Sequence, residues 1–173
     1  AIAIANAVRK LKETKFSTAK LVLTADLKEN FKAIVEGAIL GEYKFTKYKS
    51  EKEEKNIELN VVVDEITAKL ENTLEESKII AKAVNRTRDM VNTPPADFYP
   101  KVMAKKAKKI AQNLKLDIRV EGEDFLKDNG MNAMLSVGRA SIHESQLIHL
   151  TYKPKDAIKK VVLVGKGLTY DSG

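Results

Sequence analysis

The sequence predicts an α/β fold built in two parts, and three observations carry that reading. Stretches with apolar residues at helical spacing alternate with short β-branched runs along most of the 173 residues. A helical stretch with start and stop signals at its two ends, Thr73 to the double proline at Pro94 and Pro95, divides the chain near residue 72. After it, helices between strands require crossover connections, hence a largely parallel or mixed sheet covered on both faces. No internal repeat or low-complexity segment interrupts the pattern.

Taken in order, Ala1 to Glu13 reads as a helix that leads through "TKFS" into a strand, "AKLVLT". Asp26 is the expected N-cap of a second helix with Phe31, Ile34, Val35, Ala38 and Ile39 on one face. Gly37 and Gly41 weaken that helix, and Gly41 is expected to end it. "YKFTKYKSEKEEKN" is a mixed-charge loop, and "NIELNVVVDE" is a strand. Thr73 and Glu76 form the capping box of the long helix, which presents Ile80, Ala83, Val84, Thr87 and Val91 as its packing face. Its length and caps make it the expected interdomain connector. A lysine-rich helix starts near Pro100, "LDIRVEG" is a strand, and "GEDFLKDNG" is a short helix closed by Gly130. "MNAMLSVGRAS", "QLIHLTYKP" and "KKVVLVGKG" are expected as three further strands.

Composition narrows the function. A hydrophobic fraction of 43% and a charged fraction of 32% belong to a soluble globular chain. Without cysteine there are no disulfides or thiolate metal sites, which suits a reducing compartment. No apolar stretch approaches the roughly 20 residues that span a bilayer. "AIAIANAVRK" is expected to be a helix instead of a signal peptide, because its basic residues follow the apolar run. The chain does not start with methionine, so a processed or cut end is expected. The net charge of +7 raises the question of nucleic acid. The densest cluster, "KVMAKKAKKIAQNLK", puts Met103, Ala107, Ile110, Ala111 and Leu114 on one helix face and Lys101, Lys105, Lys106, Lys108 and Lys109 on the other. A solvated face accounts for it, since no aromatic is interleaved for base stacking.

The chemistry gathers at the end of the sequence. "VVLVGKGLTYDSG" carries Lys166 and Asp171 just past an apolar run, where ligands collect in open α/β sheets. Three readings compete. A Walker phosphate loop lacks its first glycine and its hydroxyl, replaced by Lys160 and Gly167. A surface ion pair on a glycine turn needs no ligand at all. Metal ligation suits the carboxylate, and suits the amine once a neighbouring divalent cation penalises its protonated form. Spacing alone selects none of them. His143 and His149, six apart, fit no helical metal spacing, and Ser141, Ser145 and Ser172 lack a nucleophile elbow. Asp156 and the carboxylates of "EKEEKN" read as solvated, and the adjacent Gly138 is the expected reason for the turn that holds Arg139.

The stretch "VGKGLTYDSG" closely resembles the Gly-Lys-Gly…Asp-Ser-Gly motif of the leucine (cytosol) aminopeptidase family. "NTPPADFYP" looks like that family's Asn-x-Pro entry to its catalytic domain, "GMNAMLSVGRAS" like its Gly-Met…Val-Gly-Arg-x-Ser stretch, and "EGAILGEYKFTKYK" like its last N-domain helix with a Tyr-x-Phe tail. The resemblance implies a mixed-sheet N-terminal α/β domain over residues 1–72. It implies a connector helix and the first part of a catalytic α/β domain with a central mixed sheet over residues 73–173. It implies a cytoplasmic exopeptidase that removes N-terminal residues, leucine by preference, with two divalent metal ions, manganese or zinc. Lys166 would ligate one ion and Asp171 would bridge both. Tyr170 stands where the family usually has phenylalanine. The family's other carboxylates, second lysine and arginine fall downstream of Asp-Ser-Gly, so the chain looks like a piece of a longer polypeptide and is expected to be inactive alone. Peptide substrates and a homo-oligomer, a hexamer by resemblance, are the implied partners. The alternative is a DNA-binding or regulatory member of the same family working through its basic surface.

Overall fold

The computed structural model describes residues 1–51 and 55–169. The fold is α/β, and it divides into two compact units, Ala1–Asn92 and Thr93–Gly173. In the first unit, α1 (Ile2–Lys12) precedes β1 (Thr18–Val22), and β1 pairs in parallel with β2 (Glu58–Val62) from Thr18 opposite Glu58 to Val22 opposite Val62. Between them run α2 (Ala25–Lys28) and α3 (Phe31–Glu42), the crossover that parallel pairing requires. Alternate residues of both strands turn inward. Leu21 and Val61 pack against the core of Leu23, Phe31, Ile34 and Val35, together with Leu70 and Leu74 of α4 (Ala68–Asn92).

The single helix expected from Asp26 is two. Thr24, in an extended conformation, precedes α2, and Asp26 lies in its first turn, where a carboxylate complements the positive helix end. The chain then turns at Asn30, whose side-chain amide donates to the Asp26 carbonyl at 3.4 Å. Gly41 does not end α3. It is buried inside the helix, as is Gly37, because α1 crosses there: a Cβ on Gly41 would lie 2.5 Å from Ala5 Cα. Glycine is what admits the second backbone.

α4 begins ahead of the expected capping box. Thr67 Oγ1 accepts the Leu70 N–H at 3.3 Å, whereas Thr73 lies within the helix and donates back to the Lys69 carbonyl at 2.8 Å. The residues between them, Ala68 to Asn72, are mostly good helix formers, and extending an existing helix is favourable where starting one is not. Thr67→Ala is therefore expected to lower stability by about 1 kcal/mol and Thr73→Ala by a few tenths, read from urea midpoints. The reverse order would restore the box at Thr73.

The packing face of α4 also differs from expectation. Ser77 and Ala81 are fully buried against α3, flanked by half-buried Leu74, Asn85 and Arg88, and the Ser77 hydroxyl is satisfied by the Thr73 carbonyl at 2.6 Å. Ile80, Ala83, Val84, Thr87 and Val91 point outward, Val91 being 78% exposed. Small residues win the buried stripe because they let the two helices approach closely.

In the second unit, α5 (Pro100–Leu114) starts with proline at its first position and closes at Lys115 in the left-handed region (φ 53°), the Leu116 N–H reaching back to Ala111 O at 2.9 Å. α5 packs on β3 (Asp117–Glu121) and β4 (Leu147–Thr151), which pair antiparallel with Arg119 opposite His149. Ala104 and Ala111 make the buried contact, while Met103 and Leu114 of the expected face are exposed. The five lysines from Lys101 to Lys109 are all exposed. α6 (Glu123–Asp128) ends before Gly130, whose φ of 65° suits glycine.

Two expected strands are absent among the described residues. "MNAMLSVGRAS" forms α7 (Asn132–Gly138), with Met134, Leu135 and Gly138 half-buried at helical, not alternating, positions. Ala, Met and Leu favour that choice. "KKVVLVGKG" forms neither strand nor helix among the described residues. Val161, Val162, Leu163 and Val164 are 79%, 72%, 92% and 95% exposed, and among the described residues β3 and β4 pair only with each other. Each sheet is thus two-stranded among the described residues, smaller than the sheet expected.

Candidate metal centre

Lys166 lies in the segment that follows β4. The chain turns at Pro154–Ala157 and then continues without helix or strand, with Lys166 exposed between Gly165 and Gly167. A Cβ on Gly165 would meet nothing within 4 Å, and one on Gly167 would touch Met103 Sδ of α5 at 3.5 Å. The glycines give the lysine stem room on one side and close passage along α5 on the other. Asp171, with Tyr170 and Ser172, falls outside the described residues, so the distance between the two expected ligands is not part of the described geometry. Among the described residues no three His, Asp or Glu side chains converge as a metal-holding group. The expected ligands Lys166 and Asp171 would offer one amine and one carboxylate to a divalent ion, and would fill only two of the roughly four to six positions such ions use.

The histidines lie apart in role. His143 stacks on Tyr99 with ring centroids 3.8 Å apart and planes 8° from parallel, at a depression of about 230 Å³ that Lys101 and Glu144 also line. His149 sits on β4. Gly138 packs as the sequence suggests, since a Cβ there would run into Ser145 Oγ.

Sequence reasoning missed a clamp beside this turn. Glu144 accepts the Glu123 N–H at 2.8 Å, and Glu123 accepts the Ser145 N–H at 3.1 Å. Each carboxylate satisfies a backbone donor of the other's segment, which ties the start of α6 to the approach of β4. The only cue in the sequence is an acidic residue opening a helix. A second missed group, at the end of α3 and along α4, comprises Tyr43, Asn85, Arg88, Asp89 and Asn92.

Comparison with known proteins fits this architecture. The N-terminal domain of the cytosol aminopeptidase family matches residues 1–52, and the catalytic domain of that family matches residues 85–173. A probable cytosol aminopeptidase of Wolinella succinogenes is 43% identical across 98% of the chain, and one of Aquifex aeolicus is 42% identical across 99%. The chain spans only 37% and 35% of those relatives, just over a third of their length. Among solved structures, the bottromycin maturation enzyme BotP in complex with Mn aligns with a TM-score of 0.74 at 28% identity, over 90% of this chain and 33% of that one. A mutant of tomato leucine aminopeptidase aligns at 0.81 and 22% identity over 91% of the chain and 33% of its own, a likeness of fold. With its catalytic-domain match alone covering residues 85–173, the chain belongs to the cytosol aminopeptidase family.

Proposed function

We propose that this chain is the N-terminal part of a metal-dependent aminopeptidase that releases N-terminal residues, leucine first, from peptides. The observation that carries the reading is the catalytic-domain match running through Lys166 and Asp171. In it, residues 1–72 form part of the N-terminal domain, and residues 73–173 form the connector and the first part of the catalytic domain. Lys166 would hold one divalent ion through its amine, and Asp171 would supply a carboxylate shared by the pair. A bound pair of manganese or zinc ions would supply a hydroxide nucleophile near neutral pH and grip the substrate carbonyl. The Mn named with BotP and the names of the bacterial relatives support this assignment. The relatives' names also favour a cytosolic location, and a homo-oligomer, a hexamer, is proposed on the family resemblance alone. No described helix is long and apolar enough to cross a membrane.

The test joins residues 1–173 to the downstream two thirds of the Wolinella succinogenes relative. Manganese-dependent cleavage of leucine p-nitroanilide, lost on chelation and restored by metal, is the expected result, and the 173 residues alone are expected to give none. A chimera that folds and assembles like the relative yet stays inactive, beside an active relative, overturns the proposal.

A further inference from the structure

Two stretches that carry the family resemblance, Tyr43-x-Phe45 after α3 and Asn92-x-Pro94 at the end of α4, touch each other. Asn92 Nδ2 donates to the Tyr43 phenol oxygen at 3.1 Å, and the phenol O–H donates to Asp89 Oδ1 at 2.9 Å. The Arg88 guanidinium lies 3.8 Å from the centre of the Tyr43 ring. Arg88 also donates to the Leu40 carbonyl at 3.1 Å and to Asn85 Oδ1 at 3.0 Å, and Asn85 donates to the Ile39 carbonyl at 3.3 Å.

The physical logic is helix capping supplied from another helix. α3 ends at Glu42, so the carbonyls of Ile39 and Leu40 have no partner within it. A guanidinium there also complements the negative end of the helix dipole. Residues 85, 88 and 92 follow the three-and-four spacing of one α4 face, continuous with the buried Ser77 and Ala81. Tyr43 lies in the N-terminal domain match, and its α4 partners lie in the catalytic-domain match, which begins at residue 85.

We propose that Tyr43 is a positioning residue, the pin of a joint that fixes the start of the catalytic-domain stretch to the end of the last N-terminal-domain helix. One phenol serves as acceptor for Asn92, donor to Asp89 and stacking surface for Arg88, a combination no other side chain offers. Burial, and then Asp89, hold its pKa above the ordinary value against the opposing hydrogen bond from Asn92, so it remains a donor at neutral pH. Isolated surface contacts on a helix add independently; the parts of a joint do not.

Hydrogen exchange on the 173-residue chain separates the two. Tyr43→Phe, which keeps the ring under Arg88, and Asn92→Ala are each expected to speed exchange of the Arg88–Asn92 amides about tenfold. The double variant is expected to be no faster than the worse single one, with the amides of Ala5, Val8, Ile34 and Val35 still protected. The proposal is overturned if the two effects multiply, if protection falls as much in that core as at Arg88–Asn92, or if Tyr43→Phe changes nothing.

Discussion

Gly41→Leu is expected to lower the stability of the Ala1–Asn92 unit by about 3 kcal/mol or more, the upper end of what overpacking costs. The reason is backbone, not side chain. A Cβ at this position would sit 2.5 Å from Ala5 Cα and 2.8 Å from Ala5 O, and neither atom can rotate aside. Gly37, one turn earlier, meets α1 again at Ala1, with the Cα of Ala1 only 2.8 Å from a built Cβ. Two glycines spaced by four make a flat strip on α3 into which the Ala5 and Val8 side of α1 is buried. Each glycine costs about 1 kcal/mol of helix propensity, and the close approach of α1 is what that cost permits. A leucine must push α1 off, exposing core that a domain stable by about 5–15 kcal/mol cannot spare lightly. Ala83→Leu on the exposed side of α4 is the control, expected within about 0.5 kcal/mol of wild type. Urea unfolding followed by circular dichroism measures both. An unchanged midpoint for Gly41→Leu would mean that α1 does not cross α3 at this strip.

The same glycines show where local pattern falls short. Read along the chain they are helix weakeners, and their contact with Ala1 and Ala5 exists only after folding. Elements defined by local chemistry were legible: α1, β1, β2, α5 with Pro100 at its start, β3, α6 closed by Gly130, and β4 all lie where periodicity and punctuation put them. Decisions between competing partners were not. The apolar stripe Ile80–Val84–Val91 looks like the core face of α4, yet Ser77 and Ala81 take that place because a small stripe packs closer. Residues 131–141 were expected as a strand, yet Asn132–Gly138 within them fold as α7, which packs on α6. Val161–Val164 has every strand propensity and no ladder to join. At the candidate centre, the motif is what proposes Lys166 and Asp171, while the Tyr43 joint was invisible because its members are 46 and 49 residues apart.

Lys166→Ala in the chimera is expected to lower peptidase activity about a thousandfold or more, the scale of losing a group that stabilises developing charge. The decisive variant is Lys166→Arg. An amine can shed its proton beside a cation and present a lone pair, whereas a guanidinium stays protonated and has no acceptor to offer. Ligation therefore predicts that arginine fails as badly as alanine. A surface ion pair with Asp171 predicts the opposite: arginine keeps the charge, and even complete loss of such a pair is worth about 1 kcal/mol or less, roughly fivefold. Asp171→Asn completes the set, since it removes a charged donor with almost no change in size. Metal content of the purified variants, taken with circular dichroism, separates a lost ion from a lost fold. Lys166→Arg turning over at nearly the wild-type rate, with its full complement of metal, would leave the amine no part in binding the ions.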